Sequence, residues 1–421
     1  MKHAGKRMGI VCLALCALTL GGCAGNVRDV FFDMEPTESP PAVSEEPPVI
    51  RFTHYMTPPP LVFEASAPRI RGLYVTSNRA GSKTGLNDLI ELCWNSSANA
   101  MVIDVKTEEG VMTYYGFDMA DQLGISVPNI PDIQALTQTL RENQIYTIAR
   151  LVTFKDNNSY HFRPELYIKN KDGSIWKDTQ KNAWLNPYNP DAREYALEFA
   201  KAAAAAGFQE IQFDYIRFPA SMYIEEEADL GDTGGKTRSE AIADFARLAM
   251  ETLKPYGVKV SADVYGAIIN SDTDAAIVGQ DYMELAKILD VICPMVYPSH
   301  YAKGSMGLDN PDLLPYDTLY KSMRLSGERL AGIPEGEHRA IVRPWLQDFT
   351  ATWVHPHLDY AGKERGEQIQ GAYDAELSEW LLWDPGNHYD AEGMDGWPGA
   401  ADAIGAVGAA GVQRQGEAEN E

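Results

Sequence analysis

The chain is short of positive charge and of cysteine, and it has no apolar run long enough to cross a membrane comfortably. Across 421 residues, 36 Lys and Arg face 60 Asp and Glu, giving a formal net charge of −24. Phosphate backbones are held by basic faces, so this balance argues against nucleic acid as a partner. Five cysteines make no disulfide scaffold. Cys12, Cys16 and Cys23 fall at the N-terminus, while Cys93 and Cys293 sit in apolar contexts that read as buried thiols. No Gly-x-Ser-x-Gly elbow occurs, which leaves a serine hydrolase without support. No glycine-rich phosphate fingerprint follows the first strand candidate, which weakens an open doubly wound sheet. The close histidine pair His355-Pro356-His357 has no adjacent carboxylate, so neither a metal nor a cofactor is expected.

What is present begins with an address. Lys2, Lys6 and Arg7 precede an apolar run from Met8 to Leu20, the layout of a secretory signal. It ends in Leu20-Gly21-Gly22-Cys23, which resembles the bacterial lipobox and implies lipidation of Cys23. The expected organisation is a signal peptide at 1–22 and a lipid-anchored, disordered linker at 23–66. The barrel-forming region at 67–398 follows, then a disordered tail at 399–421. The linker alternates Pro36, Pro40, Pro41, Pro47, Pro48 and Pro58 to Pro60 with Glu and Ser, a composition that buries no core. The expected place is the cell membrane, anchored by lipid and facing outside the cytoplasm.

Between the ends, strand-like and helix-like segments alternate. Strands are expected at 71–77, 100–106, 145–154, 209–216, 258–265, 290–297, 339–346 and 379–384. Helices are expected at 86–95, 131–143, 190–206, 239–256, 281–289, 316–325 and 362–375. Strand followed by helix, with eight strands in all, predicts a (β/α)8 TIM barrel. Residues 221–238 read as a long mobile loop.

Barrel chemistry gathers at the carboxyl ends of strands, and side-chain parity says which residues share the interior. Parity puts Gln212 with Asp214, Ser261 with Asp263, Asp104 with Lys106, and Arg343 with Trp345 and Gln347. Tyr297 ends the sixth strand. Glycosidic cleavage commonly uses two carboxyls, and Asp214 and Asp263 lie on adjacent strands. Asp214 is therefore the candidate nucleophile or base, and Asp263 the general acid or its partner. Asp104, Lys106, Arg217, Tyr297, Trp345 and Gln347 are expected to bind substrate; Lys106 could instead pair with Asp104. Trp345 and Trp383 are candidate stacking platforms or core.

The segments Arg71-Gly72-Leu73-Tyr74-Val75-Thr76, Ile103-Asp104-Val105-Lys106, Phe213-Asp214-Tyr215-Ile216-Arg217-Phe218-Pro219, Ser261-Ala262-Asp263-Val264-Tyr265-Gly266 and Pro294-Met295-Val296-Tyr297-Pro298-Ser299-His300-Tyr301, with Arg343-Pro344-Trp345-Leu346-Gln347, resemble the putative glycoside hydrolase family of bacterial TIM barrels. The resemblance covers about residues 69–390 and implies a carbohydrate-acting barrel. Chitinase-like barrels carry Asp-x-Asp-x-Glu on the fourth strand. Here Ile216 falls where that Glu would be, which speaks against a substrate-assisted mechanism. Amylase-like barrels place a nucleophilic Asp on this strand and an acid on the next, a layout that Asp214 and Asp263 resemble.

The expectation is a glycoside hydrolase acting on an envelope or extracellular polysaccharide. The alternative is a non-catalytic carbohydrate-binding lipoprotein; a metal-dependent deacetylase or nuclease is a more distant third reading.

Overall fold

The structure, a computed structural model, describes residues 69–395. The expected signal peptide, lipidated Cys23, linker and tail lie outside the described residues.

Eight parallel strands close into a barrel. They are β1 (Arg71–Val75), β2 (Ala100–Lys106), β3 (Tyr146–Val152), β4 (Glu210–Asp214), β5 (Lys259–Tyr265), β6 (Val291–Val296), β7 in two pieces (Ile341–Val342 and Trp345–Gln347), and β8 (Trp380–Trp383). Neighbours in sequence are neighbours in space, and β8 closes the ring by pairing with β1. The break in β7 falls at Arg343-Pro344. Proline offers no N–H to a ladder, yet its carbonyl still accepts from Leu381 N at 2.9 Å, so the ring stays closed.

Seven principal helices cover the outside: α1 (Lys83–Trp94), α2 (Ile133–Glu142), α3 (Pro190–Ala205), α4 (Arg238–Leu253), α5 (Tyr282–Ile288), α6 (Pro315–Leu330) and α7 (Gly362–Asp374). Their ends follow local chemistry. Asn189 caps α3 by accepting from Asp191 N, with Pro190 opening the first turn, where its missing N–H costs nothing. Thr237 and Glu240 form a reciprocal capping box on α4. Past α3 the chain turns at Gly207, whose φ of 99° lies where only glycine is at ease.

Two cores result. The larger packs the outward residues of the strands, such as Ile103, Ile211, Phe213 and Val264, against the helices. The smaller fills the barrel with Tyr74, Val102, Ile148, Cys293, Trp345 and Leu381. This split is the parity expectation realised, because successive side chains face opposite sides of a strand. Cys93 and Cys293 are free, buried thiols, and burial pushes the Cys93 thiol up to about 12.

The segment 221–238 departs from expectation. It forms a helical turn at Ile224–Glu227, then a strand at Ala228–Asp229 that pairs antiparallel with Lys169–Asn170 from the β3–α3 loop. Arg238 Nε donates to Glu225 Oε1 at 2.8 Å, and Asn186 Nδ2 donates to the Leu230 carbonyl at 2.9 Å. The strand pairing and the Asn186 bond tie the two long connections together above the barrel, while the Arg238–Glu225 pair fastens the second connection onto the start of α4, a stabilisation that local composition does not reveal.

Candidate active site

β4 delivers Asp214 to the barrel mouth and stops there. Tyr215, the next residue, has φ of 50°, a left-handed conformation that is uncommon for a bulky aromatic. Two contacts hold it: its N–H donates to Asp214 Oδ1 at 2.6 Å, and its hydroxyl donates to Glu108 Oε1 at 3.1 Å. Backbone strain of this kind persists where surroundings over-determine it, and it clusters at working sites.

Arg150 of β3 organises the carboxylates. Its Nε and Nη2 donate to Asp214 Oδ2 at 2.9 and 2.5 Å, and its Nη1 donates to Asp104 Oδ1 at 2.6 Å. Tyr74 donates its hydroxyl to Asp104 Oδ2 at 2.5 Å. The guanidinium also lies 5.1 Å from the Trp383 ring centroid, and Trp383 stacks on Tyr74 at 3.9 Å. Burial raises the Asp104 carboxyl despite the lowering influence of Arg150 and the Tyr74 hydrogen bond.

Asp263 sits beside Asp214. The β4–β5 register pairs Phe213 with Ala262; Asp214 and Asp263 follow them on strands whose backbones lie about one strand spacing (~4.8 Å) apart. Asp263 is 1 % exposed. Burial, then the negative charge of Asp214, pushes its carboxyl well above the ordinary value, against a hydrogen bond from Trp345 Nε1 to Oδ1 at 2.7 Å. Among the described residues no hydrogen bond reaches its Oδ2. Two neighbouring carboxyls are thus held in unlike environments, one on a guanidinium and the other in the barrel core.

The other expected site residues divide. Tyr297 joins the acids: burial, Asp263 and Asp214 together raise its phenol well above 10. Its ring meets Phe349 edge-on at 5.8 Å, and Phe349 stacks on the exposed Trp353 at 6.1 Å. An aromatic path therefore runs from the acids to solvent. Trp345 is buried and meets the half-buried Trp383 edge-on at 5.4 Å; its indole positions Asp263 rather than offering a stacking face. Arg217 lies at the mouth among aromatic rings, away from direct contact with Asp214.

Two residues leave the expected group. Lys106 does not share a face with Asp104, because the β2–β3 register shifts between them. This bulge turns Lys106 outward, where its Nζ pairs with Asp156 Oδ2 at 3.0 Å and lies 5.3 Å from the Phe199 ring. An extra residue in a strand breaks the period of two on which parity depends. Gln347 points inward, but its amide is fully engaged. Oε1 accepts from Ser299 N and Oγ at 3.0 and 2.7 Å, and Nε2 donates to Asp312 Oδ1 and Phe349 O at 3.3 and 3.1 Å. It braces the β6 and β7 loops and has no hydrogen bond left for a sugar.

Sequence reasoning missed Arg150, Tyr74 and Glu108. The signal for Arg150 was a lone cation inside the apolar run Ile148-Ala149-Arg150-Leu151-Val152, at a parity that aims it into the barrel. Glu108 lies past the strand end, where no periodicity applies. Its carboxyl is pushed up by burial but carried below the ordinary value by Lys155, 2.5 Å away, and by Arg150. Among the described residues no cluster of three or more His, Cys, Asp or Glu is arranged to hold a metal ion.

Against known proteins, the family described as "putative glycosyl hydrolase domain" matches residues 72–389. No curated protein matches the chain. Among solved structures, the PgaB (BpsB) glycoside hydrolase domain from Bordetella bronchiseptica aligns over 78% of this chain and 98% of its own, at 15% identity and a TM-score of 0.56; the likeness is one of fold. A hypothetical protein from Ruminiclostridium thermocellum is 37% identical over 46% of this chain and 97% of its own, with a TM-score of 0.42. An alpha-galactosidase from Thermus thermophilus aligns at 12% identity over 81% of this chain and 62% of its own, with a TM-score of 0.46.

Proposed function

This chain belongs to the family of the putative glycosyl hydrolase domain, and from that premise we propose that it cleaves an envelope or extracellular polysaccharide with Asp214 and Asp263. Asp263 serves as the general acid. Its burial beside Asp214 favours the protonated form, and its Oδ2 is the oxygen free to carry the proton to the leaving glycosidic oxygen. Asp214 serves as nucleophile or base, aimed by two Arg150 N–H groups and the Tyr215 N–H. Asp104 fits the acid role less well, since Arg150 and Tyr74 occupy both of its oxygens. The single observation that carries this reading is the unlike environment of two adjacent carboxyls.

The test is Asp214→Asn, checked for wild-type folding and assayed against a panel of envelope and exopolysaccharide glycans. The variant should bind the wild type's substrate without cutting it; full hydrolysis by the variant would refute the assignment. One observation favours a second reading. Asp263 is so buried that the barrel could bind glycan without turnover, and binding by the wild type with no released product would support that role. The Leu20-Gly21-Gly22-Cys23 run is the basis for placing the enzyme on a lipid anchor outside the cytoplasm. Loss of membrane association in Cys23→Ser cells is the expected result, and retention of the variant in the membrane fraction would count against the anchor.

A further inference from the structure

Among the described residues, cations buried at the barrel mouth have acidic partners, with one exception. Arg150 pairs with Asp104 and Asp214, Lys106 with Asp156, and Lys155 with Glu108. Arg217 is 7% exposed, and among the described residues no carboxylate lies within ion-pair reach of it. Its guanidinium is instead surrounded by three rings, 4.9 Å from Trp184, 4.9 Å from Tyr215 and 4.7 Å from Tyr265. Its side-chain hydrogen bond runs from Nη1 to the Phe218 carbonyl at 3.0 Å.

That arrangement holds a charge without neutralising it. Rings attract a cation through their faces, which hold the guanidinium in place but accept no conventional hydrogen bond from its N–H fork, so the groups not given to the Phe218 carbonyl still need acceptors. The cage stands beside the acids: Tyr215 follows Asp214 directly, and Tyr265 lies two residues beyond Asp263 on β5. A sugar hydroxyl could accept a hydrogen bond from this fork, but it would not offset the cost of holding a partly dry charge. A carboxylate or sulfate would do both, and in bidentate geometry.

We propose that Arg217, framed by Trp184, Tyr215 and Tyr265, is an anion-binding subsite for an acidic substituent on the sugar next to the scissile bond. The protein's substrate is then an anionic glycan. The proposal rests on the glycoside hydrolase reading for the nature of the ligand, but its test reads binding alone.

The full chain is titrated calorimetrically, as wild type, Arg217→Met and Arg217→Lys, with three hexasaccharides: a uronic acid, a sulfated and a neutral one. The wild type should bind at least one acidic oligosaccharide about tenfold or more tightly than the neutral one, with affinity falling as salt rises. Arg217→Met keeps an apolar stem against the rings and should lose about 10- to 100-fold for the acidic ligand, with the neutral one unchanged. Arg217→Lys should recover part of the loss, because it restores charge without the fork. The two acidic probes separate carboxylate from sulfate recognition. Equal or tighter binding of the neutral ligand by wild type, absence of acidic binding, or an equal loss for all ligands in Arg217→Met would overturn the proposal. Thermal unfolding of each variant guards against misfolding, and the salt dependence of the wild type stands without any variant. Failure of Asp214→Asn to abolish turnover would sink the catalytic assignment and leave this result intact.

Discussion

Replacing Arg150 with methionine should be the most damaging single change at the mouth, and the structure sets its size and its pH dependence. Arg150 holds Asp214 Oδ2 at 2.5 and 2.9 Å and Asp104 Oδ1 at 2.6 Å, all in buried surroundings. Removing one partner of such a buried pair leaves charge uncompensated and costs about 3–5 kcal/mol. An exposed pair would cost no more than about 1 kcal/mol. The sign of the pH effect follows from Asp104, whose carboxyl burial already raises. Without the cation it rises further. A carboxyl raised in the folded state favours folding below its unfolded pKa, and that contribution is lost as pH climbs through the folded value. The deficit of Arg150→Met relative to wild type should therefore be smallest near pH 4 and grow toward pH 7, by up to about 1.4 kcal/mol per pH unit. Urea unfolding followed by tryptophan fluorescence at several pH values measures it. Adding Asp104→Asn to Arg150→Met should restore part of the stability at pH 7, since the buried charge is then gone. A deficit below about 1 kcal/mol, or one equal at pH 4 and pH 7, would refute the view of Arg150 as the electrostatic centre of the site.

Trp345→Phe removes the N–H that lowers the Asp263 carboxyl. A hydrogen bond to a charged group is worth about 1.5–3 kcal/mol, so the alkaline limb of kcat/KM should move up by roughly 1–2 pH units. A limb that stays in place or moves down would exclude Asp263 as the acid. Lys106→Met should destabilise the fold by about 3 kcal/mol by stranding Asp156, while KM for a cleaved glycan stays at the wild-type value. A selective rise in KM with unchanged stability would return Lys106 to the substrate.

Much of the barrel was legible because strand and helix signals come from local rules. The run Ile211 to Asp214 reads as a covered parallel strand, and Asn189-Pro190 with Gly207 punctuates α3, whatever lies elsewhere in the chain. The site was legible where parity held unbroken: Asp214, Asp263 and Trp345 lie on the faces their positions imply. It failed at Lys106, where one extra residue in β2 reverses the face. It was silent on Glu108, whose loop has no period to read. For Gln347 the inward direction was correct, but its partners Ser299, Asp312 and Phe349 come from distant segments that no local pattern names.

By itself, the sequence determined the alternation of strands and helices, the closure class, and the presence of an aspartate at the end of the fourth strand. These depend on near neighbours and on one-dimensional periodicity. Only the tertiary structure decided that Arg150 joins Asp104 to Asp214, that Trp345 fixes Asp263, and that Arg217 sits among rings without a carboxylate. Each of these results depends on which strands stand side by side and on how deeply each group is buried. Charge has its chemical meaning only once its distance to other charges and to water is set, and the fold sets both.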